Sequence, residues 1–237
     1  MKNKNQDLSN NPKFKAILFF AIYFIFFSFL AVFSRKNVDY SSDTDNFDDN
    51  VSSSYNFSFA KIKNNNYKFN YNLKLDGNDY IYNGEAYNDK SNMEYNNLGN
   101  IKKYYINKDG YFVNENNIWV KSDSPYIFAD FININVIEAL IKKASFNYKT
   151  DYESGSKVYN YKITTNTINK LFTGKDMDIA DEVNEIFIRS DENNVVDKVI
   201  LKLNGYCKSL SLCNNELLIE LNYDNFGEIK EITSPLD

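Results

Sequence analysis

The sequence predicts an α+β domain built on an antiparallel sheet and preceded by one transmembrane helix. Three observations predict it. Residues 16–33 form a single uncharged apolar run. From Tyr55 onward, apolar residues recur at every second position between short turns. Two stretches, 133–146 and 165–174, repeat at helical spacing instead.

The apolar run reads AILFFAIYFIFFSFLAVF and is extended by Ser34. Its 18 residues give about 27 Å of helix, close to the ~30 Å of a bilayer's hydrocarbon core. Lys2, Lys4, Lys13 and Lys15 precede it, and only Arg35 and Lys36 follow before a run of acids. This lysine bias places residues 1–15 in the cytoplasm and the remainder outside the cell membrane. A cleaved signal peptide is the alternative, with Val32-Phe33-Ser34 as its weak small-residue site, but the run exceeds an h-region of roughly 7–15 residues. No cysteine follows to carry a lipid, so the expectation is a single-pass signal anchor over 16–34. Residues 35–54 hold Asp39, Asp43, Asp45, Asp48 and Asp49. The glycine and terminal glutamate of an EF-hand are missing, so this reads as a solvated linker.

The domain proper is expected over 55–237. Tyr55, Phe57 and Phe59 alternate, as do Tyr67, Phe69, Tyr71, Leu73 and Leu75, which is the mark of strands with one buried face. Tyr80 with Tyr82, Met93 with Tyr95, Ile186 with Ile188, Val199 with Leu201 and Leu203, and Leu217 with Ile219, Leu221 and Tyr223 extend the pattern. Short turns such as Asp76-Gly77-Asn78 and Asn225-Phe226-Gly227 separate them, so the strands run antiparallel. In 133–146, Ile137, Leu140, Ile141 and Ala144 form one stripe opposite Glu138, Lys142 and Lys143. In 165–174, Ile168, Leu171 and Phe172 repeat the spacing and Gly174 suits a helix C′ position. Both stripes have the sheet as their natural target.

Composition narrows the function. The chain has 237 residues and a net charge of −5, which argues against a nucleic-acid partner. It has no histidine, so Ser-His and Cys-His nucleophile pairs and His-containing zinc sites are excluded. Acid–base work would fall to a carboxylate pair, yet Asp and Glu fall mainly in turns and in the linker. The expectation is therefore no catalytic residue, no metal and no cofactor. Cys207 and Cys213 lie between two strand patterns, and outside the cytoplasm they are expected to pair and close a small hairpin loop, worth ~2 kcal/mol. Free thiols are the alternative.

The stretch YYINKDGYFVNENNIWVKSD, residues 104–123, reads as a β-meander. Two-residue turns at Asp109-Gly110 and Asn116-Asn117 would set Ile106 opposite Val113 and Val113 opposite Val120. Tyr104, Tyr111 and Ile118 join that face by parity, while Tyr105, Phe112 and Trp119 fall on the other. The first set, with Ile137, Leu140, Ile141, Leu171 and Phe172, is the candidate ligand-lining surface.

Together with NYKFNYNLKLDGNDYIYNGEAY, YKITTNTINKLFTG and EIFIRSDENNVVDKVILKL, this stretch resembles the LolA/LppX-like superfamily of lipoprotein-carrier and lipid-binding envelope domains. The resemblance lies in the order of the segments and covers about 55–235. It implies a curved antiparallel half-barrel whose concave face is covered by helices, with an apolar cavity for acyl chains or a lipoprotein's lipid between them. Two functions follow as expectations. One is a membrane-anchored domain binding a lipid or lipidated protein, and the other is an envelope scaffold with a filled core. Oligomeric state is left open.

Overall fold

The computed structural model describes residues 56–174, 181–206 and 216–236. The expected cytoplasmic segment, anchor, linker and cysteine pair lie outside the described residues. Among the described residues, no helix is long and apolar enough to cross a membrane.

The domain is one open, curved antiparallel sheet of 11 strands with few helices. An open twisted sheet of more than about ten strands rarely stays flat, so curvature is expected at this size. Strands β1 (Asn66–Leu75), β2 (Asn78–Tyr87), β3 (Lys90–Asn97), β4 (Asn100–Asn107), β5 (Gly110–Glu115) and β6 (Ile118–Ser122) form one meander. Strands β7 (Ser145–Asp151), β8 (Lys157–Thr164), β9 (Val183–Ser190), β10 (Val196–Lys202) and β11 (Leu218–Asp224) form a second. The meanders join through β1 and β11, so the spatial order is β6-β5-β4-β3-β2-β1-β11-β10-β9-β8-β7.

Parity decides the faces. Phe69, Tyr71 and Leu73 of β1 pair with Tyr223, Leu221 and Ile219 of β11, and all six are buried on one side. The same side carries Tyr82, Met93, Tyr159, Ile186, Ile188, Val199 and Leu201, as their alternation predicts. The helices lie there too. Helix α1 (Ala60–Lys63) precedes β1, α2 (Ile134–Lys143) follows β6 after a 3-10 turn at Ala129–Ile132, and α3 (Thr165–Thr173) links β8 to β9. Asn133 caps α2 through the Asn135 amide, and Thr164 caps α3 through that of Thr167. Gly174 takes the left-handed C-terminal position.

Three expectations change. Phe57 and Phe59 do not alternate along a strand. Ser58 makes one isolated bridge to Val195, and the chain then turns into α1. Helix α2 stops at Lys143, because Ala144 is already extended, and Ser145 onward becomes β7. The first hairpin of the 104–123 meander turns at Lys108-Asp109, so Ile106 faces Tyr111 and Tyr104 faces Val113. The positive φ falls on Gly110, inside the strand. Moving a two-residue turn back by one position shifts the register by two, so the faces are unchanged. The second hairpin has Asn116 and Asn117 at positive φ and pairs Val113 with Val120 as expected.

One glycine is required by packing. Gly84 lies opposite Phe69, and a Cβ there would sit 2.3 Å from the Asn92 carbonyl oxygen and 2.5 Å from the Phe69 ring. The ring uses that space and stacks on Tyr71 at 4.6 Å. Gly84→Ala is expected to destabilise the domain by about 2–3 kcal/mol, the upper part of the overpacking range, measured as a lower urea midpoint with unchanged slope.

Candidate functional site

The seam between β1 and β11 gathers tyrosines from the two ends of the domain. Tyr67 and Tyr223 meet edge to face at 5.3 Å, and Tyr71 meets Tyr223 at 5.6 Å. The Tyr71 hydroxyl lies close to those of Tyr67 and Tyr223. Burial pushes all three hydroxyls above their ordinary value, and the neighbouring phenols add to the rise at Tyr71 and Tyr223. Next along the sheet, Ile127 donates its amide to the Tyr82 hydroxyl, which in turn donates to the Pro125 carbonyl. This pair of bonds folds the 123–128 segment back over β2, where the Tyr126 ring lies 5.1 Å from Tyr82.

Above the seam, α1 and the start of α2 leave a pocket of about 440 Å³. Ile62, Ile132 and Ile134 wall it, and Tyr67 and Tyr223 also line it. Asn65, Asn133 and Asn135 supply its amide groups. On the other side of α1, a second pocket of about 240 Å³ is lined by Phe57, Phe59, Ile141 and Glu138. Lys63 lines both, and its ammonium donates to the Glu138 carboxylate at 2.6 Å.

The residues singled out in the sequence fall into two groups. Tyr104 and Val113 are buried and Ile106, Tyr111 and Val120 half-buried on the helical face of β4–β6, while Ile118 is 66% exposed on the edge strand. Ile137 and Leu140 are fully buried and Ile141 nearly so; with half-buried Leu171 and Phe172 they belong to packed core around α2 and α3. Helix α2 packs on α3 and β8 at the far end of the sheet from β4–β6. Of these residues only Ile141 touches either pocket above the sheet. Of the pocket residues, Tyr67 and Tyr223 were legible only as strand core and Ile134 only as part of a helical stretch, because the seam that assembles them joins the first strand to the last.

Among the described residues, no three Asp, Glu or Cys side chains converge as metal ligands would. Glu220 is held below the ordinary carboxylate range by its hydrogen bond from Lys198, the direction of a structural ion pair rather than of a proton donor.

No family model matches the chain, and no curated protein matches it in sequence. Among solved structures, the crystal structure of the Mycobacterium tuberculosis lipoprotein LppX is similar, with a TM-score of 0.44 and 9% identity over 74% of this chain and 94% of that one.

The tyrosine seam makes a pH prediction. A hydroxyl whose folded-state value is raised gives stability that is complete below the unfolded value of about 10 and is lost as pH rises through the folded one. Above pH ~10, Tyr71 and Tyr223 are each expected to remove about 1.4 kcal/mol of stability per pH unit. Urea midpoints measured from about pH 8 to 11 should fall, and Tyr223→Phe should shallow the fall while costing stability at pH 8.

Proposed function

We propose that the chain is a non-enzymatic binding domain, held outside a cell membrane by residues 16–34, that takes an amphipathic ligand on the helical face of its sheet. The ligand class is a lipid or the lipid-bearing end of a protein. The observation that carries this reading is the pocket over the β1–β11 seam. Its 440 Å³ lies within the ~300–1,000 Å³ of small-molecule sites, and its isoleucine walls and amide groups suit a ligand with one apolar and one polar end.

The Lys63–Glu138 pair supports a longer ligand. The side chains are 42% and 28% exposed, and an ion pair so placed is worth only about 0–1 kcal/mol. Its release would join the two pockets beside α1 into one channel, a shape better matched to an acyl chain than to a compact molecule. The scaffold reading has its own support, since Ile137, Leu140 and Ile168 are packed without exposure and the interior beneath α2 and α3 is filled.

The two readings separate in one experiment. Full-length protein purified in mild detergent is expected to carry lipid that organic extraction and mass spectrometry identify. Ile134→Trp, which fills the pocket from a half-buried position, should lose that lipid while keeping its melting temperature. Repeatedly clean extracts from the unmodified protein would leave the scaffold reading.

A further inference from the structure

We infer that the opposite face of the sheet carries a second site, a groove for a neutral saccharide lined by Trp119 and the C-terminal segment. After β11 the chain turns at Asn225–Gly227 and crosses that face. The Gly227 amide donates to the Asn66 carbonyl at 2.9 Å. The Asn66 side chain then pairs with Ile229 in both directions, accepting from its amide at 3.0 Å and donating to its carbonyl at 3.1 Å. Lys90 donates to the Ile232 carbonyl at 3.3 Å. Ile229 and Ile232 are thereby pressed onto Tyr105, with Tyr87, Phe112 and Trp119 packed around them.

The segment beyond Ile232 forms one wall of an open groove of about 520 Å³, through Thr233 and Pro235. Trp119 also lines it. The sheet beneath presents Lys68, Glu85, Asn92, Glu94 and Lys103, brought side by side by the β1–β4 register.

Three features of this groove select the ligand. Two lysines face two glutamates, so the groove has no net charge and offers a polyanion or polycation no advantage. Lys103 and Glu94 pair with each other at 3.6 Å, which leaves Lys68, Glu85 and Asn92 to face a ligand. Lys68 and Glu85 are directly opposite on β1 and β2 yet form no ion pair, and among the described residues neither they nor Asn92 have a side-chain partner. Glu85 and Asn92 are half-buried and Lys68 is exposed beside them, and polar groups so placed are suited to hydrogen-bonding a ligand that is itself both donor and acceptor. The third feature is the indole. Trp119 packs on the Ile229–Ile232 cluster and also reaches the groove, where its ring can stack on the C–H face of a sugar ring. Neutrality, open hydroxyl partners and one aromatic platform together fit an oligosaccharide better than a lipid headgroup or a charged peptide. This site is on the other face from the pocket over the seam and stands without it.

The chain has a single tryptophan, so its fluorescence reports this groove directly. Full-length protein is titrated with maltotetraose, cellotetraose and chitotetraose, each up to ~10 mM, well past the concentration at which a weak millimolar site fills. At least one is expected to give a saturable change in Trp119 emission. Lys68→Ala and Glu85→Ala should each weaken that binding about tenfold by calorimetry, with the emission of the free protein unchanged. Ile134→Trp would confuse the optical signal, so Ile134→Asp, on the other face, serves as the calorimetric control and should leave saccharide affinity intact. Absence of a saturable response to all three sugars would overturn the proposal. So would tighter binding of polygalacturonate than of any neutral sugar, or affinity lost in Ile134→Asp but kept in Glu85→Ala.

Discussion

The pairing of β1 with β11 is the interaction on which the rest of this structure depends. Each meander alone is a run of local hairpins, and the buried residues of both belong to one core. Joining them sets Phe69, Tyr71 and Leu73 against Tyr223, Leu221 and Ile219 over seven paired positions. These partners are about 150 residues apart in sequence, so the seam carries most of the loop-closure entropy of the fold. Its consequences reach both faces. On the helical side it brings Tyr67 to Tyr223 and so lines the pocket beneath α1. On the other it delivers the end of β11 beside Asn66, where the C-terminal segment begins its crossing.

The two faces use aromatic residues differently. On the helical face, rings fill volume: Phe69 occupies the space Gly84 leaves, and Phe131 packs against Phe172 and Tyr206 at 5.0 and 4.9 Å. The opposite face is mostly amides and charges, including the Asn222–Asn70–Asn83 row that hydrogen-bonds across three strands. Aromatics there would be an exposed apolar patch without the C-terminal segment. Ile229 and Ile232 cover Tyr105 completely and leave Trp119 only half covered. The segment is thus both a lid on apolar surface and a wall of the groove beside it.

Much of the sheet was legible because alternation with period two survives any error that shifts register by an even number. The 104–123 meander shows this: its first turn lies one residue before Asp109-Gly110, and yet Tyr104, Ile106, Tyr111 and Val113 keep their face. Burial was less legible than facing. Ile118 shares the parity of Val120 but sits at the start of the edge strand, where nothing lies over it. Strand β7 gave no signal, since its residues are exposed throughout and Ser145-Phe146 fell within the stretch 133–146 that reads as helical. The C-terminal segment was equally silent. Two isoleucines three residues apart make neither a strand nor a helix pattern, and their burial comes from hydrogen bonds to Asn66 and Lys90, side chains some 140–160 positions away.

Polar groups in this domain sort by whether folding satisfies them. Beneath α3, the fully buried Thr165 and nearly buried Asn184 tie β8, α3 and the strand entering β9 together. The Asn184 amide reaches the Ile163 carbonyl, the Thr165 hydroxyl and the Glu182 carbonyl at 3.2–3.3 Å. Those donors are spent within the fold, and a structural role accounts for them. The outer groove differs in kind. Lys68, Glu85 and Asn92 are aligned by strand register near Trp119 and, among the described residues, have no side-chain partner. Register alone would pair Lys68 with Glu85, as cross-strand opposite charges commonly do. They stay apart, while Lys103 and Glu94 on the next strands do pair, so this surface combines one closed cross-strand pair with polar groups that folding leaves open.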